Sequence, residues 1–445
     1  MVAAAPIATL TVWPDRLEHA RGDVVAIERG DPLAAIDRFL TEHCGPLHAD
    51  GPRTPRVVGY LGYDLGRAIE RLGPRPPGPA VPDAWLAAYG ALAWWPGDAE
   101  APIVVGDDPG ARAALADALA AGPRTPGPAP DLGPLVADRP GDEHAAAVAA
   151  IARYLTAGDV YQVNLARRWT AAVRRAGDPL ALYAALAAVA PAAYGAMIEA
   201  AGVAVVSGSP ECFLRRRGPR VETAPIKGTR PRRGEPRADR AAAADLAAHP
   251  KDAAEHLMIV DLERNDLGRI ATTGSVAVEE LAAVVSLPGL FHLVSTVSAI
   301  PRPEVTWGQL LAATFPGGSI TGAPKIRAMQ LIDELEPVAR GPVLRRLRLV
   351  RHRRRPRSGD RDPDRRGHRG PAPRPRRRRH RRRQRARRRA GRDRRQARRL
   401  APRAGQPRPL SYGGKTSVVN DTAPATTETG ATVKSRPALS RPVRA

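Results

Sequence analysis

A mixed α/β fold is what this sequence predicts, on three observations. Short apolar, strand-like runs separated by polar turns fill residues 1–121 and recur at Val203–Val206 and Cys212–Leu214. Segments with helical spacing stand between and after them, at 142–158, Ala238–Ala248 and Lys251–Glu263. A chain of 445 residues with 43% hydrophobic content is also long enough to bury a large core.

Pro/Gly-rich breaks punctuate the first third at Gly73–Pro82 and Gly122–Pro134, and the second reads as a linker. In the helix that follows, Asp142 is the expected N-cap, Val148, Ile151 and Leu155 share one face, and Gly158 is the expected C-cap. The two strands at 203–206 and 212–214 read as joined through Gly208-Ser209-Pro210. Pro250 interrupts the helical pattern after Ala248, so a new helix is expected from Lys251. From Arg345 to Arg399 arginine dominates and no hydrophobic period survives, so this stretch cannot build a core.

The net charge of +25 is unevenly placed. Residues 341–445 carry 36 Lys and Arg against 6 Asp and Glu, which leaves 34 against 39 on the first 340 residues. The body is mildly acidic, and the basicity that would suggest nucleic acid lies in the tail. No apolar run reaches the roughly 18 residues of a membrane span, and the N-terminus lacks the pattern of a signal peptide. Cys44 and Cys212 have no partner spacing for zinc or a redox pair. A reduced, cytoplasmic setting without membrane contact is the resulting expectation.

Four segments could carry chemistry. Ser209-Pro210-Glu211 places a carboxylate on a tight turn between apolar strands, and Pro225–Thr229 places Lys227 in a short apolar-then-glycine context. Glu255 lies on a helix with apolar neighbours Met258, Ile259 and Leu262, and Phe315–Lys325 is a Gly-rich loop with hydroxyls and backbone N–H groups suited to a small anion. Taken singly, each has an ordinary reading: a solvated cap, a surface charge, the polar face of a helix, a loop. Residue chemistry alone reaches an anion-binding enzyme with an acid, a base and one metal-binding carboxylate.

Together, and in order, these segments resemble the chorismate-utilising enzymes, a family that includes anthranilate, aminodeoxychorismate, isochorismate and salicylate synthases. The matching stretches are GYLGYDLGR (59–67), GDVYQVNLARR (158–168), SGSPECF (207–213), TAPIKGTRPR (223–232), KDAAEHLMIVDLERNDLGR (251–269), HLVSTV (292–297) and FPGGSITGAPKIRAMQLIDELEP (315–337). The resemblance implies two stacked, mostly antiparallel sheets flanked by helices. An N-terminal region (1–135) would be intertwined with a chorismate-binding domain (140–340). It also implies that Glu255 is a Mg²⁺ ligand, that Glu211 is the general acid/base, and that Gly228, Thr229, His292, Thr321, Gly322 and Ala323 line the substrate site. For GYLGYDLGR (59–67), a packing role is expected, with effector binding, which relatives can show in this region, as the alternative.

Two positions separate the members. Where water-adding members carry a lysine that activates water, this chain has Gln162, and an amide cannot serve as that base. Lys227 stands where the aminodeoxychorismate-forming members carry lysine and the anthranilate-forming members carry alanine. The implied chemistry is covalent: the Lys227 amine adds at ring carbon 2 and expels the 4-hydroxyl, and ammonia then adds at carbon 4 and expels the lysine. No glutaminase motif surrounds either cysteine, so a separate glutaminase subunit is the expected ammonia source. An anthranilate synthase or another chorismate enzyme is the alternative.

Beyond Glu336-Pro337 the family's later motifs are absent as written, yet a shifted reading frame admits them. If each arginine codon is CGN and reading moves by one nucleotide from Val343, Gly359–Asp364 admits Ala-Ile-Ala-Ile-Arg-Thr. Arg377–Gln384 then admits Gly-Gly-Gly-Ile-Val-Ala-Asp-Ser, and Arg392–Gln396 admits Glu-Thr-x-Ala-Lys. The constraining positions are Asp360, Asp362, Asp364, His380, Gln384 and Gln396. The expectation is a disordered, protease-sensitive tail over 341–445, out of frame, with synthase activity impaired. An inactive remnant whose arginine-rich arm binds polyanions without sequence preference is the reading from another class.

Overall fold

Asp-Pro is the recurrent start signal of the helices. The computed structural model describes residues 1–48, 56–95 and 101–342, with the backbone of 346–348. Its α-helices are α1 (Pro32–Cys44), α2 (Pro109–Ala120), α3 (Gly141–Ala157), α4 (Pro179–Val189), α5 (Pro236–Ala248), α6 (Pro250–Gly268), α7 (Trp307–Thr314) and α8 (Lys325–Leu335). At α1, α2 and α4 the side chains of Asp31, Asp108 and Asp178 accept backbone N–H bonds of the first turn, and proline follows at the first helical position. Glu235-Pro236 and His249-Pro250 repeat the device at α5 and α6. Pro250 is thus the start of α6, and His249 both ends α5 and caps its successor.

The N-terminal region forms a five-stranded antiparallel sheet in the order Val24–Glu28, Leu17–Arg21, Ala8–Val12, Ala84–Ala88, Val57–Leu61. Helix α1 covers it with one buried stripe, Ala35, Ile36, Phe39 and Leu40. A second sheet contains Ile226–Pro231, Leu290–Ala299, Arg220–Ala224 and Cys212–Arg217. Leu290–Ala299 is its organising strand, pairing with Ile226–Pro231 near its start, with Arg220–Ala224 near its end, and with Ala277–Leu287 along most of its length. All these pairings are antiparallel. One hydrophobic cluster joins Leu10, Val12 and Leu86 of the first sheet to Phe213, Val221 and Val297 of the second, with Trp307 and Leu310 of α7 between the helices. The Trp307 indole donates to the Gly45 carbonyl at 2.9 Å, and the Asp37 carboxylate accepts from Gly308 N–H at 3.0 Å, so α7 is locked to α1. The N-terminal and C-terminal stretches of residues 1–342 therefore share one core.

Several expectations are corrected. Gly158 caps α3 in the left-handed conformation as anticipated, but α3 begins at Gly141 with Pro140 at the cap and no side-chain cap bond, so Asp142 only contributes charge to the first turn. Val203–Ser207 and Cys212–Arg217 lie in different sheets, the former paired with Ala196–Ala200. The linker contains a short strand, Asp131–Leu132, held by Val173–Arg175. The tail does not begin abruptly at 341 either. Gly341 N–H donates to Asp64 at 2.7 Å, its carbonyl accepts from Tyr63 N–H at 3.0 Å, and Arg346–Arg348 pairs in parallel with Cys212–Arg217. A sheet edge recruits backbone groups and requires no hydrophobic period for it. The rest of the arginine-rich stretch lies outside the described residues. Among the described residues, no helix is long and apolar enough to cross a membrane.

Candidate active site

The site is built on the strand Ile226–Pro231 and its irregularity at Gly228. That residue has φ +70°, and a Cβ there would meet Leu246 Cδ1 of α5 at 2.9 Å. The resulting bulge sets Lys227 opposite Leu293 and Thr229 opposite His292. Lys227 is 6% exposed, and its Nζ has no hydrogen-bond or ion-pair partner among the described residues. A buried amine without a counter-charge is unusual as a structural device.

Glu211, at the entry to strand Cys212–Arg217, is also buried. Its Oε1 accepts from the Ser319 hydroxyl at 2.7 Å and from Ile226 N–H at 3.2 Å, the residue just before Lys227. The bond to Ile226 N–H places the Glu211 carboxylate one residue along the chain from Lys227, with the second donor, the Ser319 hydroxyl, supplied by the Gly-rich loop. Thr229 Oγ1 and His292 Nδ1 lie 3.0 Å apart. Burial pulls the His292 imidazole below its usual range, partly offset by its bond to the Gly228 backbone.

In the Gly-rich loop, Gly318–Ile320 forms one 3₁₀ turn, and Gly322-Ala323 pairs with Gln162-Val163. Gly322 has φ +147°, and a Cβ there would fall 2.1 Å from the Gln162 carbonyl. Gly322→Ala should therefore unseat the loop and cost about 1–3 kcal/mol of stability, measured by denaturant unfolding against wild type. The loop is less open to an anion than the sequence suggests. Gly318 N–H donates to the buried Glu263 at 3.1 Å, Ile320 and Thr321 N–H groups bond back to Gly317 and Gly318, and the Thr321 hydroxyl donates to the Gly317 carbonyl at 3.1 Å. Closing the 3₁₀ turn uses these groups internally.

Helix α6 lies against the second sheet. Glu255, Ile259 and Glu263 follow at four-residue intervals on one face, with Glu263 fully buried and Glu255 partly exposed beside Lys251 at 3.7 Å. His256 is buried and hydrogen-bonded through Nε2 to Ser295 Oγ at 2.6 Å. Burial first, and the Lys227 charge second, push its pKa down to about 4, so it is neutral at neutral pH. Glu255 does stand on the helix that faces Lys227. Among the described residues, no group of three or more His, Cys, Asp or Glu is arranged to hold a metal. Glu255 is therefore the one carboxylate among the described residues that the resemblance assigns to an ion. That suits Mg²⁺, which keeps several waters and uses few protein carboxylates.

Residues outside the expected set complete the arrangement. Ser319, Glu263 and Asn164 anchor the loop. Arg340 donates to the Ile320 carbonyl and to the Asn164 carbonyl, both at 2.6 Å, while holding the Glu336 carboxylate and lying 4.4 Å over the Tyr63 ring. The sequence signal for Glu263 was its place in the apolar period of α6. Arg340 had none, because its pair with Glu336 has ordinary four-residue spacing and the carbonyls it holds, Ile320 and Asn164, carry no side-chain signal.

This architecture, a buried lysine beside a buried carboxylate on a sheet that helix α6 packs against, goes with a match of residues 4–342 to the family model described as chorismate binding enzyme. The chain belongs to that family. It is 40% identical over 349 residues to the aminodeoxychorismate synthase component 1 of Klebsiella aerogenes, covering 76% of this chain and 75% of the relative. To the protein of the same name from Escherichia coli strain K12 it is 37% identical, with the same coverage. It is also 37% identical to an anthranilate synthase component 1 of Haloarcula marismortui, covering 70% of this chain and 68% of that one. The crystal structure of anthranilate synthase component I from Streptococcus pneumoniae TIGR4 superposes with a TM-score of 0.65 at 27% identity, covering 77% of this chain and 78% of that one.

Proposed function

We propose that the site transfers an amino group from ammonia to chorismate, giving 4-amino-4-deoxychorismate, the reaction of an aminodeoxychorismate synthase. The observation that carries this reading over an anthranilate synthase is Lys227, buried, without an ion-pair partner, one residue from the backbone N–H that binds Glu211. The lysine lone pair forms a bond to ring carbon 2, the two ring double bonds shift, and the bond from carbon 4 to its hydroxyl breaks. Glu211, as the acid, gives the departing hydroxyl a proton, so that it leaves as water, and recovers one from the nitrogen. Ammonia then bonds to carbon 4 and gives up a proton, the double bonds return, and the bond from carbon 2 to the lysine nitrogen breaks as Glu211 protonates it, releasing the lysine amine. Bound Mg²⁺ would neutralise the ring carboxylate at Glu255.

A glutaminase subunit is the proposed ammonia source. The family match ends at residue 342, next to the position at which the shifted frame begins, and the chain as written is proposed to be out of frame beyond it. Product analysis tests the function. Frame-restored protein is incubated with chorismate, Mg²⁺ and ammonium chloride, and products are separated by mass and retention. Aminodeoxychorismate is expected. Anthranilate as the product would favour the alternative, and isochorismate would overturn amino transfer altogether.

A further inference from the structure

The Arg340 side chain is 5% exposed, and the chemistry described above makes no use of it. Its Nε and Nη2 donate to the two oxygens of Glu336 at 2.9 and 2.6 Å, which balances its charge. An ion pair with only that purpose would need nothing more. Yet Nη1 donates to the Ile320 carbonyl and Nη2 to the Asn164 carbonyl, each at 2.6 Å. Both carbonyls belong to residues that hold Ser319. Ile320 follows it in the chain, and the Asn164 side chain donates through Nδ2 to the Ser319 carbonyl at 2.8 Å.

The N-terminal motif supplies the seat for this arginine. Its guanidinium lies 4.4 Å over the Tyr63 ring. Beside it, Gly341 N–H donates to the buried Asp64 at 2.7 Å, and the Gly341 carbonyl accepts from Tyr63 N–H at 3.0 Å. Residues 63–64 thus fix Arg340, and Arg340 fixes the loop. What the loop presents is the buried Ser319 hydroxyl, which donates to Glu211 Oε1 at 2.7 Å. Ile226 N–H reaches the same oxygen at 3.2 Å. A carboxyl oxygen that carries the proton has a single in-plane lone pair left, so an oxygen accepting two such bonds is the unprotonated one. The proton that Glu211 exchanges therefore sits on Oε2.

We infer that Arg340 is a positioning residue for the acid: through the Ile320 and Asn164 carbonyls it keeps the Ser319 hydroxyl on Glu211 Oε1, so that proton transfer runs through Oε2. This rests on the amino-transfer reading above in taking Glu211 as the acid. Arg340 touches no reacting atom. Without its grip the loop shifts, the carboxyl group turns, and the proton no longer faces one fixed direction.

Arg340→Lys tests this, because lysine keeps a charge for Glu336 but lacks the planar fork that reaches both carbonyls. Ser319→Ala removes the hydroxyl, and the double variant asks whether both act through one bond. Kinetics with chorismate, Mg²⁺ and ammonium chloride are run on the 445-residue chain, and on the frame-restored chain where the former shows no turnover. Thermal unfolding, calorimetric chorismate binding and a crystal structure of Arg340→Lys accompany them, and kcat is expressed per binding site. Each single variant should lose about tenfold in kcat, the scale of a hydrogen bond to a charged group, with the chorismate dissociation constant changed by less than about threefold. The double variant should lose no more than the larger single loss. In the crystal, the Ser319 hydroxyl should stand away from Glu211. Tyr63→Leu removes only the ring beneath the guanidinium and takes the place of Arg340→Lys if that chain does not fold, with a loss of about threefold expected. Wild-type kcat in the folded variant, a loss confined to chorismate affinity, or a retained Ser319–Glu211 bond in the crystal would overturn the inference. So would additive losses in the double variant. A parent enzyme that makes a product other than aminodeoxychorismate would overturn the amino-transfer reading instead, and the same comparisons, scored on that product, still decide on Arg340.

Discussion

Lys227→Ala in the frame-restored enzyme should abolish aminodeoxychorismate formation, with turnover falling by about three orders of magnitude or more. No other amine replaces it. The lysine on α6, Lys251, is half-exposed and lies beside Glu255, and Lys325 is paired with Asp266. Chorismate affinity should change much less, because the groups proposed to hold the carboxylates are elsewhere. Ammonia-dependent turnover by mass-resolved product assay, with chorismate binding by calorimetry, separates the two. Retained activity would sink Lys227 as nucleophile and remove the ground for preferring this reaction to anthranilate formation. Loss of binding and turnover in parallel would make Lys227 a binding group only.

The second large effect concerns the tail. In the shifted frame the arginine expected at Pro363 would grip a carboxylate through a bidentate, charge-assisted pair, and proline has no donor to offer. A second acidic group is expected at position 392, where Arg392 stands and would repel a cation. Losing one partner of a desolvated charge pair commonly costs 2–5 kcal/mol, so the 445-residue chain should turn over at least about 30-fold more slowly than its one-nucleotide-restored form. The two are expressed side by side and assayed with ammonia. Comparable rates would contradict the frameshift and require a site complete within the chain as written.

Much of this was legible because its signals are local. The Gly158 cap, the helix break at Pro250 and the alternation of strands and helices depend on residues a few positions apart, whereas the Asp-Pro starts of α1, α2 and α4 went unread. So did the motif set that identified the family. What the sequence could not reveal was the bonding across distance. Ser319 and Glu211 are 108 residues apart and share a 2.7 Å bond, and Asp64 meets Gly341 across 277 residues. The Gly-rich loop looked open to an anion because its internal 3₁₀ closure cannot be seen in composition. The strands at 203–206 and 212–214 are joined through Gly208-Ser209-Pro210, yet they enter different sheets, which nearness in sequence does not reveal. The tail's first residues looked unstructured for lack of a hydrophobic period, although edge pairing at Arg346–Arg348 requires only backbone.

The central claim is a covalent bond between Lys227 and ring carbon 2, and trapping tests it most directly. Frame-restored enzyme is incubated with chorismate and Mg²⁺ in the strict absence of ammonia, quenched in acid, and analysed by intact mass and peptide mapping. The account predicts a fraction of protein heavier by chorismate less water, with the addition on the peptide containing Lys227 and absent from Lys227→Ala. Enzyme that makes aminodeoxychorismate when ammonia is supplied, yet carries no such mass under any quench time, would contradict it.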